Sequence, residues 1–124
     1  MTIDLTHDAF LCGKLHLWQP KAGYRAATDA VLLAAACPAV AGQSVLDLGC
    51  GVGAASLCLA SRVAGLVQTG LELQEDYAAL ARQNAAENGV ALTVVTGDLT
   101  AMPADLRVGF DHVIANPPWY QRAG

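Results

Sequence analysis

Ser44-Val45-Leu46-Asp47-Leu48-Gly49-Cys50-Gly51-Val52-Gly53-Ala54 is the stretch whose reading decides the fold. Its first five residues make an apolar run of buried-strand length, and Ala54 to Val63 reads as a helix. Between them glycine occupies alternate positions, 49, 51 and 53. Glycines let the backbone turn tightly and approach a ligand, and the helix N-terminus that follows offers unpaired N–H groups. The spacing departs from the dinucleotide fingerprint, which wants two residues before its last glycine, and disfavours a nicotinamide-dependent oxidoreductase. Val52-Gly53-Ala54 leaves no lysine for a nucleoside triphosphate loop. A second apolar run, Leu66 to Leu71, ends in Glu72, about where a βαβ unit sets an acid on a ribose diol. Together the two segments point to a nucleoside ligand, without pyrophosphate as the favoured group.

Working outward, strands are expected over Val45 to Leu48, Leu66 to Leu71, Leu92 to Thr96 and Phe110 to Ala115, with helices between them. Strands alternating with helices predict an α/β fold with a doubly wound, mostly parallel sheet whose ligand sits at the carboxyl edge. The third helix, Gln74 to Asn88, puts Tyr77, Leu80, Ala81 and Ala85 near one face and ends at Gly89, a good C′ residue. Its polar face, Arg82, Gln83 and Glu87, reads as solvated. Upstream, Phe10 to Trp18 alternates around Gly13 and suggests a small hairpin, and Thr28 or Asp29 caps a helix through Ala36 that stops before Pro38. The chain reads as one unit over 1–124, with a hairpin and helix in 1–43 and the sheet in 44–124.

Near the end, Val113-Ile114-Ala115 delivers Asn116-Pro117-Pro118-Trp119. Asn116 offers a neutral carbonyl that accepts from an N–H. Pro117 holds Asn116 extended, and Pro118 does the same to Pro117, so the carbonyls of the turn are fixed before a ligand arrives. Trp119 supplies a flat apolar face for stacking, and Tyr120 is placed to share it. Taken alone, Asn-Pro-Pro reads first as a turn that ends a strand.

Taken in order, Asp47 to Gly53, Gly70-Leu71-Glu72, Gly97-Asp98-Leu99 and Asn116-Pro117-Pro118-Trp119 resemble the motifs of class I S-adenosylmethionine-dependent methyltransferases that modify amino groups. The closer likeness is to bacterial tRNA (adenine-N6)-methyltransferases acting beside the anticodon of a valine tRNA. Gln19 to Arg25, Thr28 to Ala34, and Glu72-Leu73-Gln74 through Asn84 to Asn88-Gly89 support the narrower match. The resemblance implies S-adenosyl-L-methionine as cofactor and a Rossmann-like sheet. It puts Asp47, Gly49, Cys50, Gly51 and Gly53 against the methionine part, Glu72 on the ribose with Leu73 beside it, and Asp98 and Leu99 at the adenine. Tyr24, Arg25 and Thr28 match a segment that closes over the cofactor. Asn116, Pro117, Pro118 and Trp119 match the slot for the acceptor amine, where the family more often carries Tyr or Phe than Trp. An RNA adenine is the preferred acceptor, with a protein glutamine as the alternative and a cofactor-binding module without turnover as the reading from another class. Such proteins are about twice this long with about seven strands, so the chain reads as an N-terminal half with four, leaving an apolar strand edge prone to self-association.

A length of 124 residues with 54% hydrophobic content suits one core and not two. The formal net charge is −4 with only seven Lys and Arg, a balance unlike that of a phosphate-binding surface. An RNA site then calls for basic surface elsewhere, or a local cluster such as Lys14, Lys21 and Arg25. Asp4 and Asp8 stand where a secretory signal would be basic, and Ala30 to Ala41 is too short to span a bilayer. Cys12, Cys37, Cys50 and Cys58 contain no C-x-x-C pair and the three histidines are scattered, so neither a disulfide framework nor a metal site is expected. A cytoplasmic protein with no membrane partner is the simplest reading.

Overall fold

The computed structural model describes residues 4–11, 13–21 and 28–116. An antiparallel hairpin of β1 (Leu5–Phe10) and β2 (Leu15–Pro20) leads to α1 (Thr28–Ala36). Then come β3 (Ser44–Leu48), α2 (Ala54–Arg62), β4 (Val67–Glu72), α3 (Glu75–Glu87), β5 (Leu92–Thr96) and β6 (His112–Ala115). The last four strands form one parallel sheet in the order β5-β4-β3-β6. The chain winds outward from β3 through β4 to β5, then crosses back to add β6 on the other side of β3. That reversal is the topological switch point of a doubly wound sheet.

The two faces of the sheet are covered differently. On one, Val45 and Ile114 pack with Leu15 and Leu17 of β2, Ala30 and Ala34 of α1, and Leu57 and Leu59 of α2. Ala78 and Ala81 of α3 pack with Val94 and Cys50 nearby. On the other, Leu46 and Leu71 are covered by Leu106, with Met102 and Phe110 beside them. These last three belong to the β5–β6 return, which carries two short 3-10 turns, Leu99–Ala101 and Ala104–Leu106.

The ends of α3 follow from local chemistry. Glu75 and Asp76 occupy its first turn, where acids favour the helix dipole. At its C-terminus the Val90 N–H donates to the Ala85 carbonyl and the Gly89 N–H to that of Ala86, with Gly89 at φ 66°. This is a Schellman stop that glycine makes without strain.

Three expected details are corrected. The hairpin starts at Leu5, well before Phe10, because β1 is a polar, half-exposed strand whose only apolar cue lies at its ends. β6 starts at His112 and not at Phe110, since the Asp111 carboxylate turns aside to accept from the Ser44 N–H (2.8 Å). Arg82 and Glu87 are not merely solvated: Arg82 donates to the Val94 carbonyl and the Glu75 carboxylate, and Glu87 accepts from the Trp18 indole.

Candidate cofactor cleft at the carboxyl edge

Strand register brings the expected site residues into line. Leu48 stands opposite both Leu71 and Ala115, and Glu72 opposite Thr96. One residue further on, Asn116, Gly49, Glu72 and Thr96 therefore lie in a row along the carboxyl edge, with Asp98 just beyond.

The loop over that edge is held by Glu72. One of its oxygens accepts from the Gly51 N–H and the other from the Gln74 N–H, both at 2.9 Å. A single carboxylate thereby ties the glycine turn to the start of α3. Gly49 and Gly51 take φ of 67° and 56°, and a Cβ built on either enters open space, so the bare backbone faces the cleft.

Asp47 lies deeper and is only 2% exposed. The Ser56 hydroxyl donates to its Oδ2 (2.8 Å). Burial pushes its carboxyl up to about 7; the Ser56 bond opposes the shift and the nearby Glu72 charge adds to it. The Cys50 thiol is also pushed up by burial, and Cys58 rises to about 11 for the same reason, so neither is a ready nucleophile. Asp98 is exposed, and its Oδ1 accepts from both the N–H and the hydroxyl of Thr100 at 2.8 Å. Those bonds hold its carboxyl below the usual range. Asp98 is thus a turn-forming acid and a cleft residue at once.

An open cleft of about 430 Å³ is lined by Leu48, Gly49, Gly51, Leu71, Glu72, Leu73, Gln74, Tyr77, Gly97, Asp98, Leu99, Ala115 and Asn116. Seven residues singled out from sequence meet here: Gly49, Gly51, Glu72, Leu73, Asp98, Leu99 and Asn116. Leu73 and Leu99 keep 63% and 56% of their surface exposed, a pair of apolar flanks suited to a flat ring. Beside the cleft is a water-sized cavity of about 20 Å³ bordered by Asp47, Cys50 and Ala30. Gly53 is elsewhere, capping α2 at φ 91°, where a Cβ would come into contact with Leu57 and Ala81. Thr28 is exposed at the start of α1 and lines neither space. Tyr24, Arg25, Pro117, Pro118, Trp119 and Tyr120 lie outside the described residues. Sequence reasoning missed Gln74 and the strand-end residues Leu48, Leu71 and Ala115, for which register was the needed signal. It placed Tyr77 on one helix face with Ala81 and assigned it no part in the site.

The shape and chemistry fit a nucleoside with a cationic arm. The volume falls in the usual range for small-molecule sites, bare glycine backbone allows close approach, and two acids, Glu72 and Asp98, line the cleft, with Asp47 in the cavity beside it.

The sequence pattern of the methyltransferase small domain family matches residues 26–124. This chain belongs to that family. Within it, the chain is 34% identical over 117 residues to a tRNA1(Val) (adenine(37)-N6)-methyltransferase from Shewanella sp. (strain MR-4). That match covers 91% of this chain and 49% of the relative, so the chain spans about half the length of the curated relatives it matches. Among solved structures it is similar to the Pyrococcus abyssi tRNA (uracil-54, C5)-methyltransferase in complex with S-adenosyl-L-homocysteine. There the TM-score is 0.70 with 25% identity, over 92% of this chain and 28% of that one. A T. thermophilus 16S rRNA N2 G1207 methyltransferase in complex with AdoMet and guanosine gives a TM-score of 0.73 at 22% identity, over 97% of this chain and 34% of that one. The fold is the Rossmann-like fold of class I methyltransferases.

In this methyltransferase small domain, most described cations are engaged internally. Arg62 donates to the carbonyls of Ala34 and Cys37, Arg82 to that of Val94, and Arg107 to that of Met102. Lys14 and Lys21 sit just before and just after β2, roughly 20 Å apart along an extended strand. The suggested Lys14–Lys21–Arg25 cluster is therefore not formed by its two described members. Among the described residues no helix is long and apolar enough to cross a membrane.

Proposed function

We propose that this chain binds S-adenosyl-L-methionine in the carboxyl-edge cleft and serves methyl transfer to an exocyclic amine, with adenine N6 of a tRNA as acceptor, in the cytoplasm. The observation that carries this reading is the convergence of Gly51, Glu72, Asp98 and Asn116 on one cleft. The names of the curated relatives support the RNA adenine over a glutamine side chain.

When bound, the cofactor supplies a methyl group on a positively charged sulfur, already activated for displacement. The protein's task is to align and to exclude water. Asp47 and the turn bearing Gly49, Cys50, Gly51 and Gly53 receive the methionine portion, and Asp47 faces its ammonium. Glu72 accepts from the ribose hydroxyls with the lone pairs that Gly51 and Gln74 leave free. Leu73 and Leu99 flank the adenine and Asp98 accepts from its amine. The assignment of Tyr24, Arg25 and Thr28 to a segment that closes over the cofactor rests on the resemblance of their sequence.

At the acceptor, an adenine amine is a poor nucleophile because its lone pair is delocalised into the ring. Asn116 Oδ1 and the Pro117 carbonyl each accept one amine hydrogen, favour a pyramidal nitrogen and stabilise the charge that develops there. Pro118 keeps that turn rigid. Trp119 stacks on the base, which must leave its helix or loop to enter.

The test is incubation of the chain with methyl-labelled cofactor and bulk tRNA, and separately with protein extract, followed by nucleoside digestion. The expected result is label in N6-methyladenosine. Label in protein alone overturns the acceptor, and cofactor binding without transfer to either overturns turnover by this chain.

A further inference from the structure

Four residues border both the open cleft and the small cavity beside it: Gly49, Gly51, Tyr77 and Asn116. Asp47 lines the small cavity and not the cleft, while Glu72 and Asp98 line the cleft and not the small cavity. If the methionine portion lies toward Asp47 and the adenosyl portion toward Glu72 and Asp98, the sulfur that joins them falls at the shared residues. Two of these are glycines and the third is assigned to the acceptor amine. Among the described residues Tyr77 is the one aromatic ring at the junction.

The packing of α3 explains why the ring is there. Asn84 donates to the Val52 carbonyl (2.9 Å), and Ala81 packs where a Cβ on Gly53 would reach. The helix therefore runs along the glycine turn. Tyr77, one turn before Ala81, lies about 6 Å nearer the carboxyl edge and is half-buried.

We infer that the Tyr77 ring faces the sulfonium and selects the charged cofactor over its neutral demethylated product by cation–π attraction, an inference that rests on the proposed reading of the cleft. A π-face attracts a cation, and the attraction strengthens where water is partly excluded. Once the methyl has left, the sulfur is a neutral thioether and the attraction ends, so the same ring that holds the cofactor does not hold the product.

The experiment measures dissociation constants of the 124-residue chain for S-adenosylmethionine and S-adenosylhomocysteine by calorimetry. In Tyr77→Leu, affinity for the methylated cofactor should fall roughly five- to tenfold while that for the demethylated product stays within about twofold. Tyr77→Phe, which keeps the ring, should keep the original ratio. Should the Leu variant lose its helical circular dichroism, Tyr77→Gln is read by the same criteria. Parallel weakening of both ligands, no weakening of either, or a Phe variant that behaves like Leu overturns the inference alone. If the unsubstituted chain binds neither ligand, the reading of the cleft has failed and this inference falls with it.

Discussion

A carboxylate as buried as Asp47 works against folding whenever it is ionised. Its ordinary value of 3.8 rises to about 7 in the folded chain, chiefly through burial. Below about pH 4 both folded and unfolded chains hold the proton. Between there and about 7 the unfolded chain has released it and the folded chain has not, so stability falls as pH rises across that window and is level above it. Asp47→Asn, which keeps an acceptor for Ser56, should flatten this decline and raise the melting temperature at pH 8. Thermal denaturation of both proteins from pH 4 to 8 checks it; parallel profiles would mean that Asp47 is already ionised in the fold. Asn116→Ala makes the opposite separation. It should lower methyl transfer at least about a hundredfold, the scale of losing one positioned oxyanion-hole donor elsewhere, with cofactor affinity nearly intact. A matching loss of binding would assign Asn116 to the cofactor. For Glu72→Gln, one of the Gly51 and Gln74 N–H groups loses its acceptor along with part of the diol site. Cofactor affinity should fall about tenfold or more, and an unchanged dissociation constant would remove Glu72 from the ribose. The position of Glu72 at the carboxyl edge was readable from the sequence because it directly follows an apolar run of strand length. Its hold on Gly51 was not, because that bond spans 21 positions.

Elements are joined here by amides more than by ion pairs. Asn84, wholly buried in α3, accepts from the Trp18 N–H (2.8 Å) and donates to the carbonyls of Trp18 and Val52. Asn88, one turn on, repeats the pattern with His16. Two asparagines thus imitate a neighbouring strand for β2 and dock the hairpin on α3. Asn84→Ala should cost about 3 kcal/mol, since it leaves several buried backbone groups without partners, and should expose Trp18 to solvent. Denaturant unfolding followed by tryptophan fluorescence measures both, and a loss below about 1 kcal/mol would show that water replaces the amide. Propensity located α3 and its glycine stop well, since both follow from neighbours in sequence. It could not show why a polar residue stands on the buried face, because the partners lie 32 and 66 residues away. The contact of β4 with the glycine turn is hidden in the same way: a Cβ at Gly70 would stand 2.8 Å from Cys50 Sγ, so the thiol fills the space that glycine leaves.

At the scale of the whole molecule, the apolar run lengths and their order were enough to read a parallel, doubly wound sheet and to put four motif segments at one edge. Which strand lies at the rim depends on pairing across the chain, and β6 occupies one end of the described sheet with β3 as its partner. Val113 in β6 is 56% exposed. A short apolar strand with an unpaired side is a template for another strand, and natural sheets commonly protect such edges with lysine. A net charge of −4 on 124 residues is modest repulsion to set against that attraction. We therefore expect concentration-dependent self-association through β6, and Val113→Lys should weaken it by adding a charge that each added strand must desolvate. Sedimentation velocity over a hundredfold concentration range distinguishes the cases. The unsubstituted chain should shift toward larger species as concentration rises, whereas Val113→Lys should stay monomeric with the same circular dichroism. A monomer at every concentration would mean that this edge drives no association. Association that the lysine leaves untouched would move the contact away from β6, to the exposed rim of β5 or to the hairpin.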